Sequence, residues 1–129
     1  FFKVNEHLAK MMNNYSDYNV SIKEVHHVHK LDAPSGTAIS LADQLTNNLN
    51  RKKKWTNNKS EKSEELEIIS KREDEVPGTH LVKFFSAIDD IEIKHTAHSR
   101  KGFTLGAVLA AEFVKGKHGI FGMNDLTAL

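Results

Sequence analysis

The sequence of 129 residues has no cysteine, so it can hold neither a disulfide framework nor a thiolate metal site, a composition that fits a reducing cytoplasm. It has almost no net charge. Eighteen Lys and Arg against 17 Asp and Glu leave +1, which gives no general case for a nucleic-acid or membrane-surface partner. There is no apolar run of membrane-spanning length and no recognisable signal peptide. Glycines are also few, seven in all, and nowhere do they form a Gly-rich turn between a strand and a helix, the fingerprint of a dinucleotide site. The clustered ones, Gly116, Gly119 and Gly122, follow an expected helix instead. What remains is the composition of a globular protein, 39% hydrophobic and 27% charged. Its length suits one domain that buries roughly two-thirds of its unfolded surface.

One stretch concentrates the chemistry. Glu24 to Ala38 reads E-V-H-H-V-H-K-L-D-A-P-S-G-T-A and packs three histidines, a lysine, an aspartate and a Pro-Ser-Gly-Thr turn into fifteen residues. Val20 to His27 is rich in β-branched residues and predicts a strand, while Ala38, Leu41, Ala42, Leu45 and Leu49 recur at helical spacing. Pro34 disfavours helix at the residue before it, Ser35 suits an N-cap, and Gly36 and Thr37 fall in the first helical turn. Backbone N–H groups there lack intrahelical partners, so the turn offers an anion site at the positive end of a helix, with the Thr37 hydroxyl beside it. Just upstream lie imidazoles able to exchange a proton near neutral pH and Lys30, a cation suited to a second anionic group.

Elsewhere, Phe1, Val4, Leu8 and Met11 repeat at helical steps and predict a buried stripe, with Lys3, Asn5 and Lys10 opposite and Asn13–Asn14 as the stop. The alternation of the first strand breaks between Ile22 and Val25, which predicts a bulge or a change of covered face. Asn47 to Ser63, with R-K-K-K at 51–54, reads as a solvated, mobile loop rather than a binding patch, because the basic run is short and an acidic stretch follows. Leu66–Lys71 predicts a short strand and K-R-E-D-E at 71–75 a charged loop closed by Pro77-Gly78. Thr79–Ile88 predicts the longest strand, covered on both faces, and Ile91–Ala97 a strand with one buried face. Phe103 to Lys115 is apolar nearly all round, which predicts a helix deep in a core or interface, and Asn124 is a candidate cap for a short last helix. Four strands and three main helices without regular β-α alternation give an α+β fold, an open mixed four-stranded sheet covered by helices on one face.

The run from Glu24 to Ala38 closely resembles the signature of dihydrodipicolinate reductase, E-x-H-H-x-x-K-x-D-x-P-S-G-T-A, at every fixed position. The likeness continues through G-T-H at 78–80, H-T-A-H-S-R at 95–100, G-A-V at 106–108 and G-I-F-G-M-N-D-L at 119–126. The resemblance implies an NADPH- or NADH-dependent reduction of a cyclic dicarboxylate in the diaminopimelate route to lysine. It implies a cytoplasmic homotetramer whose sheets pair across subunits, and residues 1–129 as the substrate-binding and assembly domain. The sequence opens in a helical pattern without a start methionine, and the cofactor domain of the family is expected upstream. The tail 117–129 is expected to pack on that domain, and the chain alone is expected to be inactive. Carried over residue by residue, His26 is the proton donor and Lys30 balances charge in the transition state. His27, Lys30, Ser35, Gly36, Thr37 and Arg100 become substrate contacts. Arg100 rests on a shorter motif, since the family often has S-S-R where this chain reads His98-Ser99-Arg100.

Two other readings stand beside this one. His26, His27 and His29 could form a metal site, but strand alternation turns His26 from its companions, no carboxylate stands at ligand spacing and Lys30 would repel a cation. No metal is therefore expected, and His7, His80, His95, His98 and His118 are read as structural or exposed. The alternative in function is a binding or assembly module that keeps the dicarboxylate pocket without a redox step.

Overall fold

Alternating side chains organise the first part of the molecule. The computed structural model describes residues 1–127, which form two compact units, Phe1–His98 and the residues from Ser99 onward. In the first unit the β-branched segment forms β1 (Asn19–His26), the centre of a five-stranded mixed sheet. β3 (Glu65–Arg72) runs parallel on one side of it and β4 (Gly78–Phe85) antiparallel on the other. β2 (Lys54–Thr56) lies parallel outside β3, and β5 (Asp90–Ala97) antiparallel outside β4, so the order is β2-β3-β1-β4-β5. The α+β reading with an open mixed sheet holds, with five strands rather than four.

Two helices cover one face. α2 (Gly36–Asn48) buries Ala38, Leu41, Ala42 and Leu45 against Val20, Ile22, Leu66, Ile68, Val82 and Phe84, and α1 (Phe2–Met12) adds Ala9 and Met12 to the same core. Each large aliphatic or Phe side chain removed from water here contributes about 1.5–3 kcal/mol. α1 uses a different stripe from the one its apolar spacing predicts. Val4 and Met11 are exposed, while Asn5 is fully buried because its Nδ2 donates to Leu41 O at 3.2 Å and Gln44 Oε1 at 2.8 Å on α2. A buried amide so satisfied costs little, and small Ala9 one turn on lets the two helices approach.

Three strand expectations change. β1 has no bulge: its pairing with both neighbours is uninterrupted, and Val20, Ile22, Glu24 and His26 all face the covered side. The apparent break in apolar alternation is a carboxylate and an imidazole occupying core positions. β4 ends at Phe85, and Val82 and Phe84 on it point into the core beneath the helices, while Ile88 lies beyond the strand and is exposed. The strand expected to be covered on both faces is therefore covered by helices on one only; the other side carries Lys23, Val25, Thr79, Leu81 and Lys94 around a shallow hollow. β5 is an edge strand, half-buried only at Ile93 and Ala97, because nothing pairs beyond it among the described residues.

The basic run is not a solvated loop. Arg51 donates to Tyr18 O and Met12 O, the Lys52 ammonium is buried with Ser63 O at 2.7 Å and Glu65 O at 2.9 Å, and Lys54 opens β2. These cations tie the segment after α2 to carbonyls at the end of α1, before β1 and at the start of β3.

In the second unit, α3 (Lys101–Val114) has no buried residue; Phe103, Leu105, Val108, Leu109 and Val114 are exposed, so it does not lie deep in a core of this chain. Phe113 and Phe121 meet edge to face at 5.8 Å with the Lys117 ammonium over the Phe113 ring. The last helix, α4 (Met123–Leu126), starts at Gly122, whose N–H donates to Asp125 Oδ2 at 2.8 Å; Asn124 is inside the helix and is not its cap. Positions 128 and 129 of the expected tail lie outside the described residues.

The two adjacent lysines should behave differently in urea unfolding. Lys52→Ala removes a buried ammonium that donates to two carbonyls and is expected to cost about 1–3 kcal/mol, whereas Lys53→Ala, on an exposed side chain, should stay within about 0.5 kcal/mol.

Candidate active site

The site is assembled where β1 ends. Because β1 and β3 run parallel in register His26↔Arg72, and β1 and β4 antiparallel in register Glu24↔His80, four polar residues from three strands meet on the covered face. Glu24 is fully buried. Its Oε1 accepts from the Ser35 backbone N–H at 3.2 Å and from Arg72 Nη2 at 3.1 Å, and its Oε2 stands 2.5 Å from His26 Nδ1. That last contact is off the line of a directed hydrogen bond, and neither atom has another partner among the described residues. The His26 and His80 rings meet edge to face at 5.0 Å, and His80 Nε2 lies 3.0 Å from Ser35 Oγ.

The turn into α2 forms as its residue types predict. Ser35 is the N-cap and its hydroxyl accepts from Ala38 N at 3.2 Å, while Ile39 N makes the first helical bond to Ser35 O. The Gly36 and Thr37 N–H groups have no partner among the described residues, and apart from its chain neighbours and its own helix backbone nothing described lies within 4 Å of where a Gly36 side chain would start. Open space in front of unpaired donors at a helix N-terminus suits an anion. The loop before it is strapped to β3 by Arg72, which donates from Nε to Lys30 O at 3.3 Å and from Nη2 to Asp32 O at 2.5 Å. The Lys30 ammonium pairs with Asp32 Oδ1 at 2.9 Å.

Of the residues carried over from the signature, His26, Ser35 and the backbone of Lys30 thus belong to one connected network, with Gly36 and Thr37 following Ser35. His27 is half-buried beside His29, ring centres 6.1 Å apart, and its side chain is not part of that network. Arg100 belongs to the second unit, exposed at the residue before α3. Sequence reasoning missed Glu24, Arg72, Gly78 and His80. The signal for Glu24 was a period-two step from His26 on the same face, which also corrects the view that no carboxylate stands at ligand spacing. A Cβ at Gly78 would sit 3.1 Å from His26 Nε2 and press on the ring.

Electrostatics separate the roles. Burial pushes the Glu24 carboxyl up, but the Ser70 hydroxyl and the Arg72 guanidinium outweigh it and hold it below its ordinary value, so it stays ionised. Burial lowers His26, with Glu24 pulling the other way and Lys30 and Arg72 adding to the fall. Burial, with His26 adding to it, drives His80 down to about 4. Glu24, His26 and His80 place donor atoms within 4.8 Å of one another, the composition of a metal site. However, Arg72 already balances the carboxylate and Ser35 occupies His80 Nε2. The strand–loop–helix unit from β1 to α2 carries one glycine in its turn, Gly36, where a dinucleotide fingerprint has three.

A family model described as "Dihydrodipicolinate reductase, C-terminus" matches residues 1–127. The chain belongs to this family. Curated relatives named 4-hydroxy-tetrahydrodipicolinate reductase include one from Christiangramia forsetii, 52% identical over 126 residues, which span 98% of this chain and 52% of the relative. Another, from Methanosarcina acetivorans, is 39% identical over 132 residues, spanning 100% of this chain and 49% of the relative. The chain thus spans about half the length of the curated relatives it matches. Among solved structures, one titled "Dipicolinate bound Dihydrodipicolinate reductase" from Paenisporosarcina sp. TG-14 superposes with a TM-score of 0.68 at 23% identity, over 99% of this chain and 51% of that one, a likeness of fold.

The depressed histidines set a pH window for stability in this family member. His80 titrates near 6.5 when unfolded and near 4 when folded. The unfolded state therefore binds more protons between those values, and stability, full above pH 6.5, falls as the pH drops toward 4. The loss attributable to His80 amounts to about 3 kcal/mol across the window. Urea unfolding at pH 7.5 and 5 should show it, and His80→Gln should flatten it; an unchanged slope in that variant would assign the pH dependence elsewhere.

Proposed function

We propose that this chain is the substrate-binding and assembly half, residues 1–129, of a reductase acting on 4-hydroxy-tetrahydrodipicolinate in the diaminopimelate route to lysine. The observation that carries the reading is the join between an anion-binding helix terminus, Ser35 to Thr37, and a buried imidazole, His26, through Glu24 and Arg72. One carboxylate of a flat cyclic dicarboxylate would meet the Gly36 and Thr37 N–H groups and the Thr37 hydroxyl. Lys30 would take the other, released from Asp32. His27 and Arg100 remain proposed contacts from the resemblance alone.

Reduction of the unsaturated ring leaves an electron pair beside the reduced carbon, and that carbon takes a proton. His26 would give it. NADPH or NADH is the cofactor the family implies, and binding and protonation are what this chain would contribute to the reaction. Homotetramer formation through the sheet and a cytoplasmic setting are part of the same proposal. The face for assembly would be the uncovered one around Val25, Thr79 and Leu81, since Val82 and Phe84 are occupied by the core.

Two measurements test this. Pyridine-2,6-dicarboxylate should bind the chain in a calorimetric titration, Lys30→Ala should weaken binding by about 1.5–3 kcal/mol, and Lys53→Ala should leave it unchanged. Loss of binding in Lys53→Ala alone would move the site to the basic run. Because His26 sits below its ordinary value in the free chain and a dianion beside it favours the imidazolium, binding near pH 7 should take up protons. Titrations in buffers of different ionisation enthalpy measure that uptake; its absence would separate His26 from the ligand.

A further inference from the structure

The Glu24 carboxylate is wholly buried, yet its function is not exhausted by structure. Arg72 and the Ser35 N–H occupy Oε1, and either would serve to anchor the loop; Oε2 is left for His26 Nδ1 alone, at 2.5 Å. With Nδ1 held against the carboxylate in an ion-pair contact, Nε2 is the nitrogen left to deliver a proton. It is beside Nε2 that Gly78 withholds a side chain, since a Cβ would stand 3.1 Å away. The groups facing this ring are Glu24 on its own strand, Arg72 at the end of β3, His80 on β4 and Lys30 in the following loop. Glu24 is the one anion among them.

The geometry points to Glu24 as the positioning residue of the reaction, one that fixes the His26 ring with Nδ1 inward and keeps it protonatable among cations, while Arg72 holds the carboxylate in place and ties it to the loop that carries Lys30. This rests on the proposed role of His26. The step balances within the pair: the imidazolium gives the Nε2 proton to the electron pair on carbon and becomes neutral imidazole, with its Nδ1 proton retained against the Glu24 carboxylate. Nothing is oxidised at either residue, and the charge lost from the ring is adjacent to the carboxylate that favoured it.

The test is Glu24→Gln, which keeps shape and removes charge. In this chain, the His26 midpoint followed by NMR should fall by about 1–3 pH units. In the complete reductase, kcat should fall and its descending alkaline limb should move to lower pH, with KM for the dicarboxylate little changed, because Glu24 does not touch substrate. An unchanged His26 midpoint, or an unmoved limb, overturns the inference. Should the variant fail to fold, the wild-type chain still decides: the Glu24 carboxyl 13C resonance must show a second inflection at the His26 midpoint, and a resonance blind to that titration overturns the pairing. His26→Gln is the separate control. Full kcat in that variant would sink the proton-donor reading itself, whatever the NMR coupling between Glu24 and His26.

Discussion

One buried carboxylate organises this chain. Glu24 occupies a core position between Ile22 and the sheet's end with no exposure to water, a placement that would be costly for an unpaired charge. It is tolerated because each neighbour supplies a donor that the local fold needs to place anyway. The Ser35 N–H comes from the start of a helix, the Arg72 guanidinium from the adjacent strand, and the His26 ring from two residues on. The loop that carries Lys30, the cap of α2 and the orientation of His26 all refer back to this one group. Charge at the centre thus replaces the rigidity a loop of eight residues between His26 and Ser35 would not have by itself.

The sheet makes that convergence possible through its mixture of directions. A parallel partner brings the far end of β3 to the end of β1, and an antiparallel partner brings the beginning of β4 to the same place. Arg72 and the Gly78–His80 segment are therefore near one another in sequence and lie on opposite sides of His26 in space. The short turn joining them is pinned to the residues after β1, with Glu73 N donating to His26 O at 2.8 Å and Val28 N to Asp74 O at 3.1 Å.

Much of this was legible in the sequence where one residue type has one good use. Ser35 after a proline and before an apolar helical repeat could hardly be anything but a cap, and the fifteen-residue signature carried the family. Legibility failed where polar residues took apolar places. Asn5 reads as surface because only its hydrogen bonds to α2 justify burying it, and Glu24 reads as a flaw in alternation because its compensating charge, Arg72, is 48 positions away. Lys52 hid for the same reason: a run of four basic residues looks solvated until two carbonyls from Ser63 and Glu65 close around one of them. β2 was lost with it, and Gly78 could be understood only once the His26 ring lay against it. Local pattern reports what a residue prefers; these residues are set by partners from distant segments.

The in-register pairing of His26 with Arg72 also determines where the chain tolerates changes in length. Insertions in the exposed part of the stretch between β2 and β3 leave that register untouched, provided Ser63 still reaches Lys52. A single deletion between Ile22 and Glu24 has a different result. It removes Lys23, and would turn the carboxylate and the imidazole to the opposite side of the sheet and bring Val25 to face the Ser35 cap. Variation among natural versions of this chain should therefore accumulate as insertions on the β2 side and as substitutions, never as gaps, along β1.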